Sequence, residues 1–376
     1  MTTTRQLRTS FLVAAIALLV GTASPHGLAG AERNGIQLTP NGYRVPVYGM
    51  SFTRNAEGTL GTECARLTAT ELEAARFRPA VSRALMVSYP QATIQATSGA
   101  TFTIIYTDAQ GTGFNDTAKG AARKAAMQAS VAAWSAVLQG TVPIVVEAKM
   151  ETPEDPESTL LASAGPIDFF DIDGVAVPSA LAAQVRNGSL NNGGPDIQVM
   201  VNETVDWDYA INGAAAPGKA SFVYTMIHEV GHGLGFLDSF DVSTGALLNA
   251  IPFPYDVFVN RGSARRDVVA NHGAEQVLAD LTSNDLFFNG PKAVEASARS
   301  IRPLPMVKLY APDPYEAGSS IAHVDQDTYA DFKTGLMTPQ DFGSGTNKID
   351  ILTLGIMADL GYQLIPGAVT ARTPRP

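Results

Sequence analysis

Hydrophobic residues in the middle of the chain form short clusters that are typical of β-strands. Each cluster is rich in β-branched or aromatic residues and is bounded by polar or turn-forming residues. Three strands are predicted on this pattern: Thr101–Tyr106, Val142–Met150 and Ile197–Val201.

A helix is predicted between the first two of these strands. Asp116 or Thr117 can cap its start, and Gly140 is the residue type that ends a helix. Residues 151–195 are rich in Pro, Gly, Asn and Ala, and they are predicted to be mostly loop, with one short helix near Ser179–Val185. This order of elements predicts an α+β fold with a mixed sheet at the back of a cleft.

The most informative motif follows the third strand. An apolar run, Phe222–Ile227, leads into an H-E-x-x-H sequence that starts at His228. On a helix, positions i and i+4 lie on one face, so His228 and His232 project side by side and can bind one zinc ion. Glu229 lies one step round the helix, where it can act as a general base towards a water molecule. Gly235 then ends the helix.

The alternative is that these polar residues simply lie on a solvated helix face. The apolar lead-in argues against it, because burying two histidines and a glutamate without partners is costly. Gly231 and Gly233 each destabilise a helix by roughly 1 kcal/mol relative to Ala, which indicates that close packing requires them. The chain also contains only five histidines, so two at this spacing are notable.

Two residues are candidates for a third metal ligand, because a catalytic zinc usually takes three from the protein. Asp238 completes the pattern H-E-x-x-H-x-x-G-x-x-D, and His323 lies further along the chain. Imidazole is the commoner zinc ligand. If His323 binds the metal, Asp238 can accept the free ring N–H of a ligand histidine and fix its orientation.

Four stretches in the same order resemble the leishmanolysin-type metzincins and their secreted bacterial relatives: His228–Phe236, His323, Leu336–Pro339 and Ile351–Tyr362. The resemblance covers residues 100–363 in patches, and it implies a zincin-like catalytic domain with an active-site helix and a Met-turn. It also implies that His228, His232 and His323 bind Zn²⁺, and that Met337 supplies a soft floor beneath them. The cysteine framework of the protozoan members is absent, so no disulfide pattern is carried over.

Composition and the chain's beginning indicate where the protein works. The formal net charge is −10 and the pI is about 5.0, which argues against nucleic-acid binding. Residues 1–31 are predicted to be a signal peptide, because Arg5 and Arg8 precede the apolar run Phe11–Val20 and a small-residue cleavage site ends at Ala31. No later segment is apolar enough to span a bilayer, so the mature protein is expected to be secreted, either periplasmic or extracellular.

The remaining boundaries follow from changes in pattern. Residues 32–98, the N-terminal segment, are either a pro-segment or an accessory unit, with a broken strand pattern at Gly42–Met50 and a helical pattern at Thr68–Met86. Residues 99–366 form the predicted zinc peptidase domain, and residues 367–376 a flexible tail. Cys64, the single cysteine, is interpreted as a thiol without consequence, with a zinc-capping thiolate of a latent precursor as the alternative.

The sequence therefore predicts a secreted zinc-dependent endopeptidase with Glu229 as its general base. The expected partner is a protein or peptide substrate in extended form, paired with an edge strand such as Ile197–Asn202. A non-catalytic module that binds zinc for structure is one alternative, and a zinc hydrolase of a non-peptide bond is another.

Overall fold

The strands and helices were assigned in a computed structural model of the chain. The structure describes residues 36–54, 60–67, 91–95, 99–153, 158–212, 215–262, 266–269, 273–300, 303–316, 319–329, 335–341 and 347–368. The predicted signal peptide, the predicted helix at 68–86 and the part of the predicted tail beyond residue 368 lie outside these ranges.

Most strands in the described ranges are short, and the longest ones belong to one large sheet. In chain order they are β1 (Ile36–Leu38), β2 (Arg44–Pro46), β3 (Tyr48–Arg54), β4 (Leu60–Arg66), β5 (Gln91–Gln95), β6 (Thr101–Tyr106), β7 (Ile144–Glu151), β8 (Leu160–Pro166), β9 (Phe169–Ile172), β10 (Val175–Pro178), β11 (Ile197–Asn202), β12 (Trp207–Asp208), β13 (Ala220–Ser221), β14 (Phe240–Asp241), β15 (Ala246–Leu247), β16 (Val259–Arg261), β17 (Arg266–Asp267), β18 (Leu286–Phe288), β19 (Val307–Lys308) and β20 (Gln340–Asp341).

Seven helices are found within the described ranges. They are α1 (Gly120–Ser135), α2 (Ser179–Arg186), α3 (Phe222–Gly233), α4 (Ala274–Leu281), α5 (Pro291–Arg299), α6 (Gln326–Tyr329) and α7 (Ile351–Leu360). None of them is long and apolar enough to cross a membrane.

The large sheet has eight strands in the order β20-β4-β3-β8-β11-β7-β6-β5. The strands β6, β7 and β11 run parallel, whereas β8 is antiparallel to β11 and β3 is antiparallel to β8. The fold is thus a mixed-sheet α+β structure, as the order of elements predicted. Strands β3 and β4 come from the N-terminal segment and extend this sheet. Strand β11 lies between β8 and β7, so the prediction of Ile197–Asn202 as an edge strand is wrong.

Helices α1 and α3 pack against each other and against the sheet, and they form the centre of the core. The indole Nε1 of Trp134 donates to the carbonyl oxygen of Ile227 at 2.9 Å. The hydroxyl of Ser130 lies 3.3 Å from the carbonyl oxygen of Val223. These bonds tie α1 to α3 along its length and fix the helix that carries the histidines.

The strands at 101–106, 142–150 and 197–201 are confirmed within one or two residues at each end, and so is the short helix near 179. The predicted helix after Asp116 begins at Gly120, because the Asp116 carboxylate accepts from the amides of Ala118 and Lys119 in the preceding turn. It ends at Ser135, before Gly140.

The loop predicted for residues 151–195 is wrong, because β8, β9 and β10 lie there. Strand β8 is Leu-Leu-Ala-Ser-Ala-Gly-Pro, and all seven residues are buried. A strand that has neighbours at both edges and is buried on both faces needs no alternation of polar and apolar residues. The sequence of β8 therefore lacks the period-two pattern by which a strand is predicted.

Candidate metal centre

The two histidines of the H-E-x-x-H motif lie on α3. The Ser221 hydroxyl caps this helix by accepting from the amide of Tyr224 at 3.3 Å, and every residue of the helix is buried. His228 and His232 project from one face, and their Nε2 atoms are 3.1 Å apart. The helical prediction for this motif is confirmed, and Gly235 follows the helix end with φ of +113°.

His323 joins them from a loop distant in sequence. Its ring centroid lies 5.4 Å from that of His228 and 5.0 Å from that of His232. Its Nε2 is buried and has no hydrogen-bond partner in the structure. An unsatisfied buried nitrogen that faces two other imidazoles is what a metal ligand without its ion looks like.

Cys64, on β4, is the fourth member of the group. Its Sγ lies 3.5 Å from Nε2 of His232. The four potential ligand atoms of Cys64, His228, His232 and His323 all lie within 4.8 Å of one another, and all four residues are buried. Strand β4 places Cys64 against the histidines, which favours the alternative interpretation of a zinc-capping thiolate over that of a thiol without consequence.

Backbone contacts hold Cys64 in this position. Its amide donates to the carbonyl oxygen of Pro339 at 2.6 Å, and its carbonyl oxygen accepts from the Ser319 hydroxyl at 2.8 Å. Both partners lie next to other parts of the site, Ser319 four residues before His323 and Pro339 two residues after Met337. No sequence signal around Cys64 indicates these long-range contacts.

Each histidine is oriented through its other ring nitrogen. The Nδ1 atoms of His228, His232 and His323 lie 2.7, 2.7 and 2.9 Å from the carbonyl oxygens of Leu336, Phe236 and Ser319 respectively. A carbonyl can only accept, so each Nδ1 carries the proton and each Nε2 has its lone pair free for a metal.

The electrostatics of the pocket favour neutral imidazoles. Burial lowers the pKa of His228 to about 4. Burial, with the other histidines as a further cause, lowers the pKa of His232 and His323 well below the ordinary value. Burial and the nearby Glu229 raise the pKa of the Cys64 thiol. Neutral imidazoles are the form that binds a metal, and a cation at the centre would favour the thiolate.

Glu229 is buried beside this group but is not one of its ligands. Its Oε1 accepts from the amide of Met50 at 2.9 Å, and its Oε2 accepts from the amide of Ala164 at 3.0 Å. The carboxylate thus lies between strands β3 and β8. Burial raises its pKa well above the ordinary value, and the two amides oppose that shift.

Asp238 does not belong to the group of ligand atoms. Its Oδ2 accepts from the Tyr48 hydroxyl at 2.7 Å, and its Oδ1 accepts from the amide of Phe240 at 2.9 Å. The ring N–H groups of the three histidines bond to backbone carbonyls instead, so the predicted bond from a ligand histidine to Asp238 is wrong. Asp238 acts through Tyr48, whose ring stacks on His232 with centroids 5.1 Å apart.

Met337 packs against α3 at Gly231. A Cβ added at Gly231 would be 3.0 Å from Met337 Sδ and 3.2 Å from Trp134. One added at Gly233 would be 2.3 Å from Cγ2 of Ile197. The close packing predicted for these two glycines is confirmed. It explains why glycine occupies both positions although it destabilises a helix.

The residues present fit a resident metal ion. Three neutral imidazoles and one thiol, with one unsatisfied nitrogen, form a donor set of the size and type that holds Zn²⁺ in four-fold coordination. Other divalent transition metals accept the same donors. No protein-family model, no curated protein and no solved structure matches this chain.

Proposed function

We propose that the protein is a secreted zinc-dependent endopeptidase with a zincin fold of the metzincin type. The observation that carries this proposal is the position of Glu229 beside three convergent histidines. A site that holds zinc only for structure has no need of a buried carboxylate next to its ligands. The predicted signal peptide supports secretion.

In this proposal His228, His232 and His323 hold the ion. Bound zinc supplies a Lewis acid, which makes a water molecule more acidic and polarises the carbonyl group under attack. The carbonyl oxygens of Leu336, Phe236 and Ser319 keep the three rings in their orientation, so that little rearrangement is needed when the ion binds.

Glu229 moves the protons. As general base it takes a proton from the attacking water, whose oxygen forms a bond to the peptide carbonyl carbon. It then passes that proton to the amide nitrogen as the C–N bond breaks, so one water molecule is consumed and two termini are released. The amide of Ala164, on β8, donates to the Oε2 atom of Glu229 and holds the carboxylate in position.

In this proposal the enzyme is latent while Cys64 lies against His232. A thiolate of Cys64 would take the fourth coordination position, the one that a catalytic zinc must keep for water. Latency therefore ends when the N-terminal segment leaves the site.

A second candidate function is supported by one observation: Cys64 and the three histidines together form a set of four potential ligands. A closed set is typical of a structural zinc site, so the rival function is a secreted binding module without catalysis. The two functions differ in whether any form of the protein hydrolyses peptides.

The deciding experiment is metal analysis of the purified chain combined with a casein assay, before and after limited proteolysis of the N-terminal segment. The peptidase predicts about one zinc per chain, with hydrolysis that increases after proteolysis and is lost on chelation. Glu229→Gln, treated identically, is the control for a contaminating protease. Zinc without casein hydrolysis in any form would favour the binding module.

A further inference from the structure

The large sheet has a face that points away from the metal centre. Helix α3 lies on the face that carries Ile197, because a Cβ added at Gly233 would be 2.3 Å from Cγ2 of that residue. Helix α1 packs against α3 on the same side. Successive residues of a strand point to opposite faces, so Gln198 and Met200 of β11 point to the other face, which we call the back face.

The side chains in the middle of the back face are buried. Ile105 on β6, Glu147 on β7 and Gln198 on β11 are directly opposite one another in the strand pairing, so they share this face. Their exposed fractions are 2%, 3% and 8% respectively. Side chains on an open sheet surface are solvated, so another part of the molecule must cover these three strands.

A group of polar residues forms a pocket on the back face. The Nε2 atom of Gln198 donates to Oε1 of Glu147 at 3.2 Å, and the Gln198 Oε1 atom is buried with no hydrogen-bond partner among the described residues. Ser163 on β8 is opposite Met200, and its buried Oγ likewise has no partner within the described ranges. Gly165 is opposite Gln198, and a Cβ there would meet no described atom within 4 Å. We call Glu147, Ser163, Gly165 and Gln198 the back pocket.

We propose that the back pocket binds the guanidinium group of an arginine from residues 68–90 of the same chain. A carboxylate beside a neutral acceptor on the next strand suits a cation with several donors. A guanidinium carries five N–H groups in one plane and can bond to both acceptors at once, whereas an ammonium has all its donors on one atom. Residues 68–90 lie outside the described ranges, and their sequence contains Arg76, Arg78 and Arg83 and no lysine.

The first support is the position of the two strands that this segment connects. Strand β4 ends at Arg66 and β5 begins at Gln91, and the two lie six positions apart in the strand order of the sheet. At ~4.8 Å per strand the distance is ~29 Å. Residues 68–90 must therefore cross the sheet, and they are long enough to do so even at ~1.5 Å per residue, the rise of a helix.

The second support is the face on which the segment begins. Leu67 belongs to an apolar cluster against which Met200 packs, and Met200 points to the back face. A Cβ added at Gly49 would be 2.7 Å from a methyl carbon of Leu67, and Gly49 is directly opposite Ser163. The segment thus starts on the back face, while α1 and α3 fill the other face.

The third support is the order of residues along this path. The strands halfway between β4 and β5 are β8, β11 and β7, which carry the back pocket. The three arginines lie in the middle third of the segment, which has to pass over these strands. An arginine bound here would anchor the N-terminal segment at a place separate from the metal centre. The proposal is therefore independent of the peptidase function.

The first test measures how fast each arginine reacts with phenylglyoxal in the folded, zinc-loaded full chain, by mass spectrometry of its peptides. One of Arg76, Arg78 and Arg83 should react at least tenfold more slowly than Arg186, which is exposed on α2. Glu147→Gln should raise the rate at that arginine at least tenfold and leave Arg186 unchanged. The control is Glu275→Gln, an exposed position on α4, which should change neither rate.

The second test is a double-mutant cycle in urea denaturation. Glu147→Gln and the replacement of the protected arginine by Gln should each raise the unfolding equilibrium constant at least tenfold. The double variant should exceed the more damaging single variant by less than threefold, because both changes remove one interaction. The same arginine variant combined with Glu275→Gln should show multiplied effects. Multiplied effects in the cycles of Glu147 with all three arginines would overturn the proposal, and would mean that water or another group satisfies the back pocket.

A third design covers the case in which Glu147→Gln does not fold, since it leaves the sheet unchanged. Arg76→Lys, Arg78→Lys and Arg83→Lys each keep the charge but lose the planar set of donors. One of the three should raise the unfolding constant at least tenfold, and the other two should stay within threefold of the wild type. If all three stay within threefold, no guanidinium occupies the back pocket and the proposal fails.

Discussion

The ring Nδ1 of His228 lies 2.7 Å from the carbonyl oxygen of Leu336, the residue that precedes Met337. This contact joins the first histidine of α3 to a turn 108 residues further along the chain. As one buried hydrogen bond, it contributes about 1 kcal/mol net to stability. Its effect on the orientation of the imidazole ring matters more for the site. It fixes which nitrogen of His228 faces His232 and His323.

Glu229→Gln should abolish hydrolysis and leave the metal bound. The substitution keeps the shape of the side chain and removes its ability to accept a proton, so we expect kcat to fall by roughly 10²–10⁴-fold. Zinc content, measured by mass spectrometry of the metal, should stay at that of the wild type, because Glu229 is not in the ligand group. A variant with full activity would refute the general-base role.

His323→Ala should weaken zinc binding far more than Asp238→Asn does. The first change removes a ligand atom from the group, whereas Asp238 lies outside the group and bonds to Tyr48, whose ring stacks on His232. We expect the zinc affinity of Asp238→Asn to be lower than that of the wild type by about 10–100-fold or less. Equilibrium titration with a zinc-buffering chelator gives both values. A larger loss of zinc affinity in Asp238→Asn than in His323→Ala would mean that Asp238, and not His323, is the third ligand.

Cys64→Ala should retain zinc but release it faster. Three histidines remain to hold the ion, and the vacated position becomes available to water. We expect the rate of zinc transfer to an excess of chelator to increase at least tenfold in the full chain. The control is Cys64→Ser, whose hydroxyl is a poorer ligand of similar size. An unchanged release rate in both variants would show that the thiol does not bind the ion.

The metal helix could be predicted from the sequence because all of its signals are local. The spacing of His228 and His232, the apolar lead-in and Gly235 lie within fourteen consecutive residues. His323 required a resemblance, since nothing local distinguishes a ligand histidine in a loop. The structure brings it to the other two.

The contributions of Tyr48 and Met50 could not be predicted, and a role of Cys64 at the metal could be given only as an alternative, because all three depend on strand pairing between distant parts of the chain. Met50 reaches Glu229 through its backbone amide, so its side chain carries no signal of this contact. Strand β8 was missed for a related reason: a fully buried strand of small residues has no period-two pattern. The strands next to the metal centre, β3, β4 and β8, were therefore the least predictable part of the sheet.

Gly233→Ala should destabilise the protein through the contact of α3 with β11. The added methyl group would lie 2.3 Å from Cγ2 of Ile197, at the first residue of a central strand. We expect a loss of about 1–3 kcal/mol in the free energy of unfolding, despite the higher helix propensity of Ala. Gly188→Ala is the control, since a Cβ there meets nothing within 4 Å. Denaturation by urea compares the two, and equal stabilities would contradict the packing argument.

Asp196 should make stability depend on pH between about 4 and 7. Its carboxylate is buried and accepts from the amide of Val145, and burial raises its pKa from 3.8 to about 7. A carboxyl whose pKa is raised by folding stabilises the fold fully below the unfolded pKa, and this contribution is lost as the pH rises through the folded pKa.

The test compares the wild type with Asp196→Asn, which cannot titrate. As the pH rises from 4 to 7, the wild type should lose up to ~4 kcal/mol of its free energy of unfolding relative to the variant. Asp256, whose pKa is also raised to about 7, is present in both proteins and cancels in the difference. Urea denaturation of the metal-free proteins at several pH values supplies the data, with chelator present so that zinc binding adds no pH dependence. A difference that stays constant with pH would mean that Asp196 is already ionised in the folded protein at pH 4.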